Sequence, residues 1–149
     1  MSNEACPLPV PPSASEEATI QRLLRAKSIA VVGLTDDPSR PSHDVSSYLQ
    51  DHGYEITPVN PGLATALGKR AYKSLAELPA PPDVVLVFRR PEHCAQVAKD
   101  AVAAGAKGLW LQAGIQNDEA KRIAAEAGIP FVQDRCMKVE HIHHSRKSV

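Results

Sequence analysis

The sequence predicts an α/β fold in which a parallel, doubly wound sheet of five strands carries helices on both faces. From residue 28 onwards, short and wholly apolar runs alternate with amphipathic stretches. A run that is apolar at every position is typical of a strand buried on both faces. Strict alternation of strand and helix indicates right-handed βαβ units, and hence a parallel, Rossmann-like sheet.

The first half of the chain supplies two strands and two helices. The acidic pair Glu16–Glu17 suits a first helical turn, and Gly53 suits a helix end. Pro58 indicates that the end of the second strand is free of pairing. The predicted elements are a helix over 16–26, a strand over 28–33, a helix over 43–52 and a strand over 54–59.

The second half repeats the pattern three times. Pro91 is well placed at a helix N-terminus, Gly105 at a helix end and Asn117 at a helix cap. Trp110 lies in an apolar run and is predicted to be in the core. The predicted elements are a short helix over 74–78, strands over 83–88, 108–112 and 130–133, and helices over 91–105 and 117–127.

Composition limits the domain organisation and the function classes. The chain has 149 residues, which fits one domain. We predict a proline-rich, disordered arm over 1–15, the domain over 16–142 and a flexible tail over 143–149. Lysine plus arginine equals aspartate plus glutamate at 17 each, so the charge favours neither a nucleic-acid nor a membrane partner. No signal peptide or membrane span is evident, and the cytoplasm is the expected location.

The loops after the predicted strands are the candidate ligand site, because ligands of an open parallel sheet lie outside the carboxyl ends of its strands. The loop after the first strand has Gly33 for a tight turn, hydroxyls and a helix N-terminus, all suited to a phosphate. It lacks the further glycines of the GxGxxG fingerprint, and the second strand ends in Asn60–Pro61 without the acid that an NAD site uses. NAD is therefore disfavoured. Arg40, Arg89 and Arg90 suit a ligand with several phosphates, although strand geometry allows only one of the adjacent pair to face it.

Four segments together resemble the small single-domain CoA-binding protein family, which is similar to the N-terminal CoA-binding domain of the succinyl-CoA synthetase alpha subunit. They are IAVVGLTDDPSRPSHDVSSYLQDHGYEITPVNP, DVVLVFRRPEH, LWLQAGIQNDEA and VQDRCMKVEH. The resemblance covers about residues 18–142 and implies that coenzyme A lies across the carboxyl edge of the sheet. The chain differs from the family at Ala113, where leucine is more usual, and in its HIHH tail.

The resemblance also implies which residues contact the ligand. The first loop would wrap the diphosphate, the second-strand turn would lie beside the adenosine, and the third and fourth turns would complete the site. The residues are Gly33, Leu34, Thr35, Arg40, Pro41, Ser42, Asn60, Pro61, Phe88, Arg89, Arg90, Gln112, Ala113 and Gly114.

The sequence favours a binding, carrier or regulatory module for CoA or an acyl-CoA over an enzyme, because it contains no evident catalytic constellation. The alternatives are an NAD(P)-binding redox domain and a subunit of an acyl-CoA ligase completed by a partner chain. A thiol at Cys136 would permit a mixed disulfide with CoA, but a packing role is favoured. His141, His143 and His144 lack a ligand partner at a defined spacing, so a mobile polar tail is favoured over a metal site.

Overall fold

The computed structural model describes residues 12–147, and its first element is helix α1 (Ala14–Leu24). The Ser13 hydroxyl accepts a hydrogen bond from the backbone N–H of Glu16 at 3.1 Å and so caps the helix. The helix thus begins within the arm predicted for residues 1–15, and the arm boundary itself stays a prediction. The remainder of the predicted arm, residues 1–11, lies outside the described residues.

Five parallel strands form the main sheet, as the sequence predicts. They are β1 (Ser28–Val32), β2 (Glu55–Val59), β5 (Val84–Val87), β6 (Leu109–Leu111) and β7 (Phe131–Val132). Their order is β2-β1-β5-β6-β7, so the chain proceeds from the inner strand β1 to one edge and then returns to build the other side. Pro58 lies in the edge strand β2, where a missing N–H is tolerated.

Helices cover both faces of the sheet. Alternate residues of each strand enter different cores: Ile29 and Val31 pack on one face, and Ala30 and Val32 pack on the other. Helices α1, α2 (Pro41–Asp51) and α5 (Met137–Lys147) contribute to the first core. Helices α3 (Pro91–Ala103) and α4 (Asp118–Ala127) contribute to the second. Burial on both faces explains why the central strands β5 and β6 are apolar at every position.

The connection from β2 to β5 contains structure that the sequence analysis did not predict. Strands β3 (Thr65–Ala66) and β4 (Lys69–Arg70) form a small antiparallel pair. A 3-10 turn over Leu75–Glu77 follows, within the short helix predicted for 74–78. The backbone N–H of Tyr72 donates to the carbonyl of Pro58 at 3.0 Å, so this connection lies against the β2 edge.

Helix α5 includes residues 143–147, which the sequence analysis assigns to a flexible tail; the boundary at residue 143 stays a prediction. The hydroxyl of Tyr48 lies 2.7 Å from Nδ1 of His141, and Nζ of Lys138 lies 3.0 Å from Oδ2 of Asp44. Both contacts join α5 to α2, so tertiary packing supports the helix. No helix within residues 12–147 is long and apolar enough to cross a bilayer.

Candidate functional site

The carboxyl edge of the sheet is divided at the boundary between β1 and β5. The connection after β1 leads to the β2 side, whereas the chain after β5 continues to β6 on the other side. The two outgoing loops therefore separate and leave a crevice between them, which is where open α/β sheets bind ligands. The sequence-predicted site residues all follow the strands at this edge.

Gly33 forms the tight turn at the start of the first loop. Its φ is +90°, and its N–H donates to the carbonyl of Val59 at 3.0 Å. A Cβ at this position would lie 2.6 Å from the carbonyl oxygen of Phe88, a distance that real Cβ atoms essentially never show. Only glycine allows the first loop to pass this close to the end of β5.

The rest of the first loop is organised by its own polar groups. The Ser42 hydroxyl accepts a hydrogen bond from the N–H of Thr35 at 3.2 Å. Oδ1 of Asp37 accepts from both the N–H and the hydroxyl of Ser39, and these bonds, the backbone one foremost, lower the pKa of Asp37. The Leu34 side chain is fully buried. Oγ1 of Thr35 is buried and has no hydrogen-bond partner among the described residues, which leaves a polar atom of this loop unsatisfied.

Asn60 joins the second-strand turn to the first loop. Its Nδ2 donates to the carbonyl of Leu34 at 3.0 Å, and its Oδ1 accepts from the N–H of Gly62 at 2.8 Å. Its backbone N–H donates to the carbonyl of Tyr72 at 2.8 Å. Nδ2 thus holds the second-strand turn to the first loop, whereas Oδ1 stabilises the turn itself.

A cavity of about 300 Å³ lies over the ends of β1 and β2, and we call it the polar cavity. Its walls combine the apolar ends of the two strands with charged and polar side chains from three separate parts of the chain. Those side chains are Asn60, Lys73, Ser74, Arg89 and Asp100. Such convergence of a few polar groups on a concave site is typical of small-molecule pockets.

A second cavity of about 550 Å³ lies over the ends of β5 and β6, and we call it the apolar cavity. Most of its wall is apolar, with four polar side chains among the lining residues: Asp44, Arg89, Arg90 and Gln112. The apolar part consists of Pro41, Val45, Phe88, Pro91, Ala113, Ile115 and Cys136.

Arg89 lines both cavities and is half-buried, whereas Arg90 is exposed and lines the apolar cavity only. Within residues 12–147, neither arginine forms an ion pair with a carboxylate, and the same holds for Arg40 and Lys73. These four cations are therefore available to an anionic ligand at this edge.

Two helix N-termini also face the carboxyl edge. Helix α2 begins after Arg40 and helix α3 after Arg90, each with a proline in its first turn. Neither helix has a side-chain hydrogen bond at its N-cap. Uncapped N–H groups and the positive end of the helix dipole favour an anion at such positions.

The loops after β6 and β7 are tied to each other. Oδ1 of Asp134 accepts from the N–H of Gly114 at 2.7 Å, and its Oδ2 accepts from Nε2 of Gln116 at 3.0 Å. Asp134 adopts a φ of +57°, which is uncommon outside glycine. Gln112 is buried, and its Oε1 accepts from the N–H of Met137, the first residue of α5, at 3.3 Å.

The structure brings most of the sequence-predicted residues to the two cavities. Gly33, Asn60, Pro61 and Arg89 line the polar cavity, and Pro41, Phe88, Arg89, Arg90, Gln112 and Ala113 line the apolar cavity. The others lie in the adjoining loops without lining either cavity: Leu34, Thr35, Arg40, Ser42 and Gly114.

Three polar residues of the polar cavity were not predicted from the sequence. Lys73 and Ser74 come from the connection between β2 and β5, and Asp100 comes from the C-terminal part of α3. None of them directly follows a strand. The sequence analysis considered only the loops after the carboxyl ends of the strands, so it did not identify these three residues. The only local signal was the predicted short helix beginning at Ser74.

Comparison with known proteins supports a common family. A sequence model described as a CoA binding domain matches residues 27–142. The Bacillus subtilis protein YneT is 47% identical over 126 residues, which cover 84% of this chain and 93% of the relative. A hypothetical protein from Pyrococcus horikoshii OT3 has a solved structure with a TM-score of 0.84 and 35% identity, covering 92% of this chain and 98% of that one.

A longer relative is the alpha subunit of the ADP-forming acetate–CoA ligase II of Pyrococcus furiosus. It is 26% identical over 128 residues, which cover 78% of this chain. The matched region spans only 28% of the length of that subunit. The fold described here therefore corresponds to one part of a larger ligase subunit.

Proposed function

Because the chain belongs to the CoA-binding domain family, matched over residues 27–142, we propose that it binds coenzyme A at the carboxyl edge of its sheet, as a binding module without catalysis of its own. The observation that carries the proposal is the crevice between β1 and β5, where Arg89 lies between the polar and the apolar cavity. CoA is a long ligand with a phosphorylated nucleotide at one end and a thiol at the other. Two adjoining cavities of different polarity suit such a ligand.

The phosphates of CoA would be met by groups that the protein leaves available. Arg89 is half-buried, and neither it nor Arg40 has a carboxylate partner within the described residues. The uncapped N-terminus of α2 and the buried Oγ1 of Thr35 add hydrogen-bonding capacity in the same loop. A guanidinium and a helix N-terminus are both favourable partners for phosphate.

The geometry of Asn60 disfavours the dinucleotide alternative. An NAD site uses a carboxylate at the end of the second strand to accept hydrogen bonds from the ribose hydroxyls. Here the position holds an amide whose Nδ2 is bonded to Leu34 and whose Oδ1 is bonded to Gly62. The Asn60 side chain therefore has both ends of its amide bonded within the protein, and it carries no charge to attract the ribose hydroxyls.

The non-catalytic part of the proposal is tested with the reaction named for the longer ligase relative. A purified sample given acetate, ATP and CoA should release no ADP, and ADP release above a no-enzyme blank would contradict the non-catalytic proposal.

The binding proposal is tested by thermal unfolding with CoA, dephospho-CoA, NAD and NADP in parallel. A ligand at about a hundred times its dissociation constant stabilises the folded state by roughly 2.7 kcal/mol. For a domain of this size the midpoint should rise by about 5–10 °C. We expect this rise with CoA and a smaller one with dephospho-CoA. A rise with NAD or NADP alone would refute the proposal.

A matched pair of variants tests the assigned position. Arg89→Gln removes the guanidinium at the junction of the cavities and should weaken CoA binding about tenfold to a hundredfold, the range for a lost charge-assisted hydrogen bond. Arg22→Gln makes the same change on the exposed surface of α1 and should leave the affinity unchanged. Equal affinities in the two variants, measured by calorimetry, would place the ligand elsewhere.

A second candidate function, that of a ligase subunit, is favoured by the similarity to the ligase alpha subunit. The match covers 28% of the length of that subunit. In that case the chain would supply CoA to a ligase whose other parts lie on another chain. A stoichiometric partner that co-purifies with the tagged chain and confers ADP release on it would favour this candidate. Co-purification without ADP release would leave the binding module as the better account.

A further inference from the structure

We infer that the ligand is an acyl-CoA thioester, whose acyl group occupies the apolar cavity. The inference rests on the proposed CoA binding and specifies the class of ligand for the same site. It is carried by the contrast between two adjoining cavities that share Arg89.

The two cavities differ in the chemistry of their walls. The polar cavity contains charged and amide groups, among them Lys73 and Asn60, and suits the nucleotide end of the ligand. The apolar cavity is larger, at about 550 Å³ against about 300 Å³, and its wall includes Phe88, Val45 and Ile115. Its volume lies within the range of about 300–1,000 Å³ that small-molecule pockets occupy.

Two of the four polar side chains in the wall of the apolar cavity are engaged within the protein. Oε1 of Gln112 accepts from the N–H of Met137 at 3.3 Å. Oδ2 of Asp44 lies 3.0 Å from Nζ of Lys138. The other two, Arg89 and Arg90, are the cations proposed above for the phosphates of CoA, and the remaining wall is apolar surface.

Free CoA would leave much of that surface in water, because it ends in a thiol. A hydrocarbon chain attached to the same sulfur would cover the wall and remove apolar area from water, which is favourable in proportion to the area. Binding should therefore strengthen as the acyl chain lengthens, until the cavity is filled.

Calorimetric titration of the full chain with CoA, acetyl-CoA, butyryl-CoA and hexanoyl-CoA tests this expectation. Complete burial of a methylene strengthens binding about fourfold. We expect at least about a tenfold fall in dissociation constant from acetyl-CoA to hexanoyl-CoA, since each added methylene is at least partly buried.

A second measurement locates the acyl group. Ile115→Gln places an amide of similar length in the wall of the apolar cavity. It should flatten the chain-length dependence, which is taken in each variant as the ratio of the thioester affinity to the affinity for CoA itself. Ile123→Gln is the matched control, because Ile123 is also half-buried against the same apolar core but lines neither cavity. Thermal unfolding of both variants establishes that each is folded under the titration conditions.

The outcomes separate the inference from the proposal beneath it. Equal affinities for CoA and all three thioesters would overturn the acyl-CoA inference and leave CoA binding intact. An unchanged chain-length dependence in folded Ile115→Gln would also overturn it, because the acyl group would then lie outside the apolar cavity. Failure of every CoA species to bind would refute the proposed function itself.

Discussion

The replacement Gly33→Ala tests the close approach between the first loop and the end of β5. Gly33 has a φ of +90°, and an added Cβ would lie 2.6 Å from the carbonyl oxygen of Phe88. That oxygen belongs to the backbone, and the N–H of Phe88 is bonded to the carbonyl of Val32 at 2.9 Å. The clash can therefore be relieved only by moving the loop or the strand end.

Gly53→Ala supplies the matched control for backbone strain. Gly53 has a φ of +95°, and nothing lies within 4 Å of the Cβ that would be added there. Both variants should lose about 1–2 kcal/mol of stability to the left-handed conformation. Gly33→Ala should lose a further amount of about 1–3 kcal/mol, comparable to an overpacked core.

Thermal unfolding followed by circular dichroism measures the difference. At about 3 °C for each kcal/mol in a chain of this size, Gly53→Ala should lower the midpoint by about 3–6 °C and Gly33→Ala by about 6–15 °C. Midpoints that fall by the same amount in both variants would show that the loop moves away without cost. The reasoning about close approach would then be wrong.

Three further variants test other contacts. Asn60→Asp should destabilise the fold by about 1–3 kcal/mol, because a carboxylate then faces the carbonyl of Leu34 in place of a donor at 3.0 Å. Trp110→Phe should cost about 2–4 kcal/mol in urea denaturation, since Trp110 is fully buried and its Nε1 donates to the carbonyl of Arg135 at 2.8 Å. Burial lowers the pKa of His141 below its ordinary value of 6.5. The unfolded chain therefore binds the proton more tightly, and the stability that His141 contributes is full above about pH 6.5 and is lost as the pH falls through its folded-state pKa. His141→Gln should flatten the fall in stability between about pH 7 and pH 5.

For each of these three predictions, one experimental outcome would contradict it. Asn60→Asp with an unchanged unfolding midpoint would mean that the bond to Leu34 does not hold the two loops. A Trp110→Phe variant whose m-value also changes would indicate an altered denatured state rather than a lost contact. The same pH dependence in wild type and His141→Gln would assign the acid sensitivity to other groups.

The sheet could be predicted from the sequence because its signal is local. Residues 29–32 of the strand predicted over 28–33 are all apolar, and both faces are buried, with Ile29 on one side and Ala30 on the other. The cap of α4 is equally local, since the N–H of Ala120 donates to Oδ1 of Asn117, three residues earlier, at 2.8 Å. Burial and capping leave patterns within a few residues, and such patterns can be read directly.

Three elements, one helix and two short strands, escaped prediction because their support comes from distant parts of the chain. Helix α5 has no clear apolar periodicity, and one of its contacts joins His141 to Tyr48, which is 93 residues away. Strands β3 and β4 have two residues each, too few for any alternation to be recognised. Their position depends on packing against the β2 edge.

The sequence by itself determined which loops meet at the candidate site, because the carboxyl ends of parallel strands always share one edge. It also determined the kind of chemistry there, through Gly33, Asn60 and Arg89. Only the tertiary structure decided that Lys73 and Asp100 join them, and that the edge is divided into a polar and an apolar cavity. The shape of the space between the loops depends on how separate βαβ units pack against each other. No pattern within a few residues of the sequence indicates that packing.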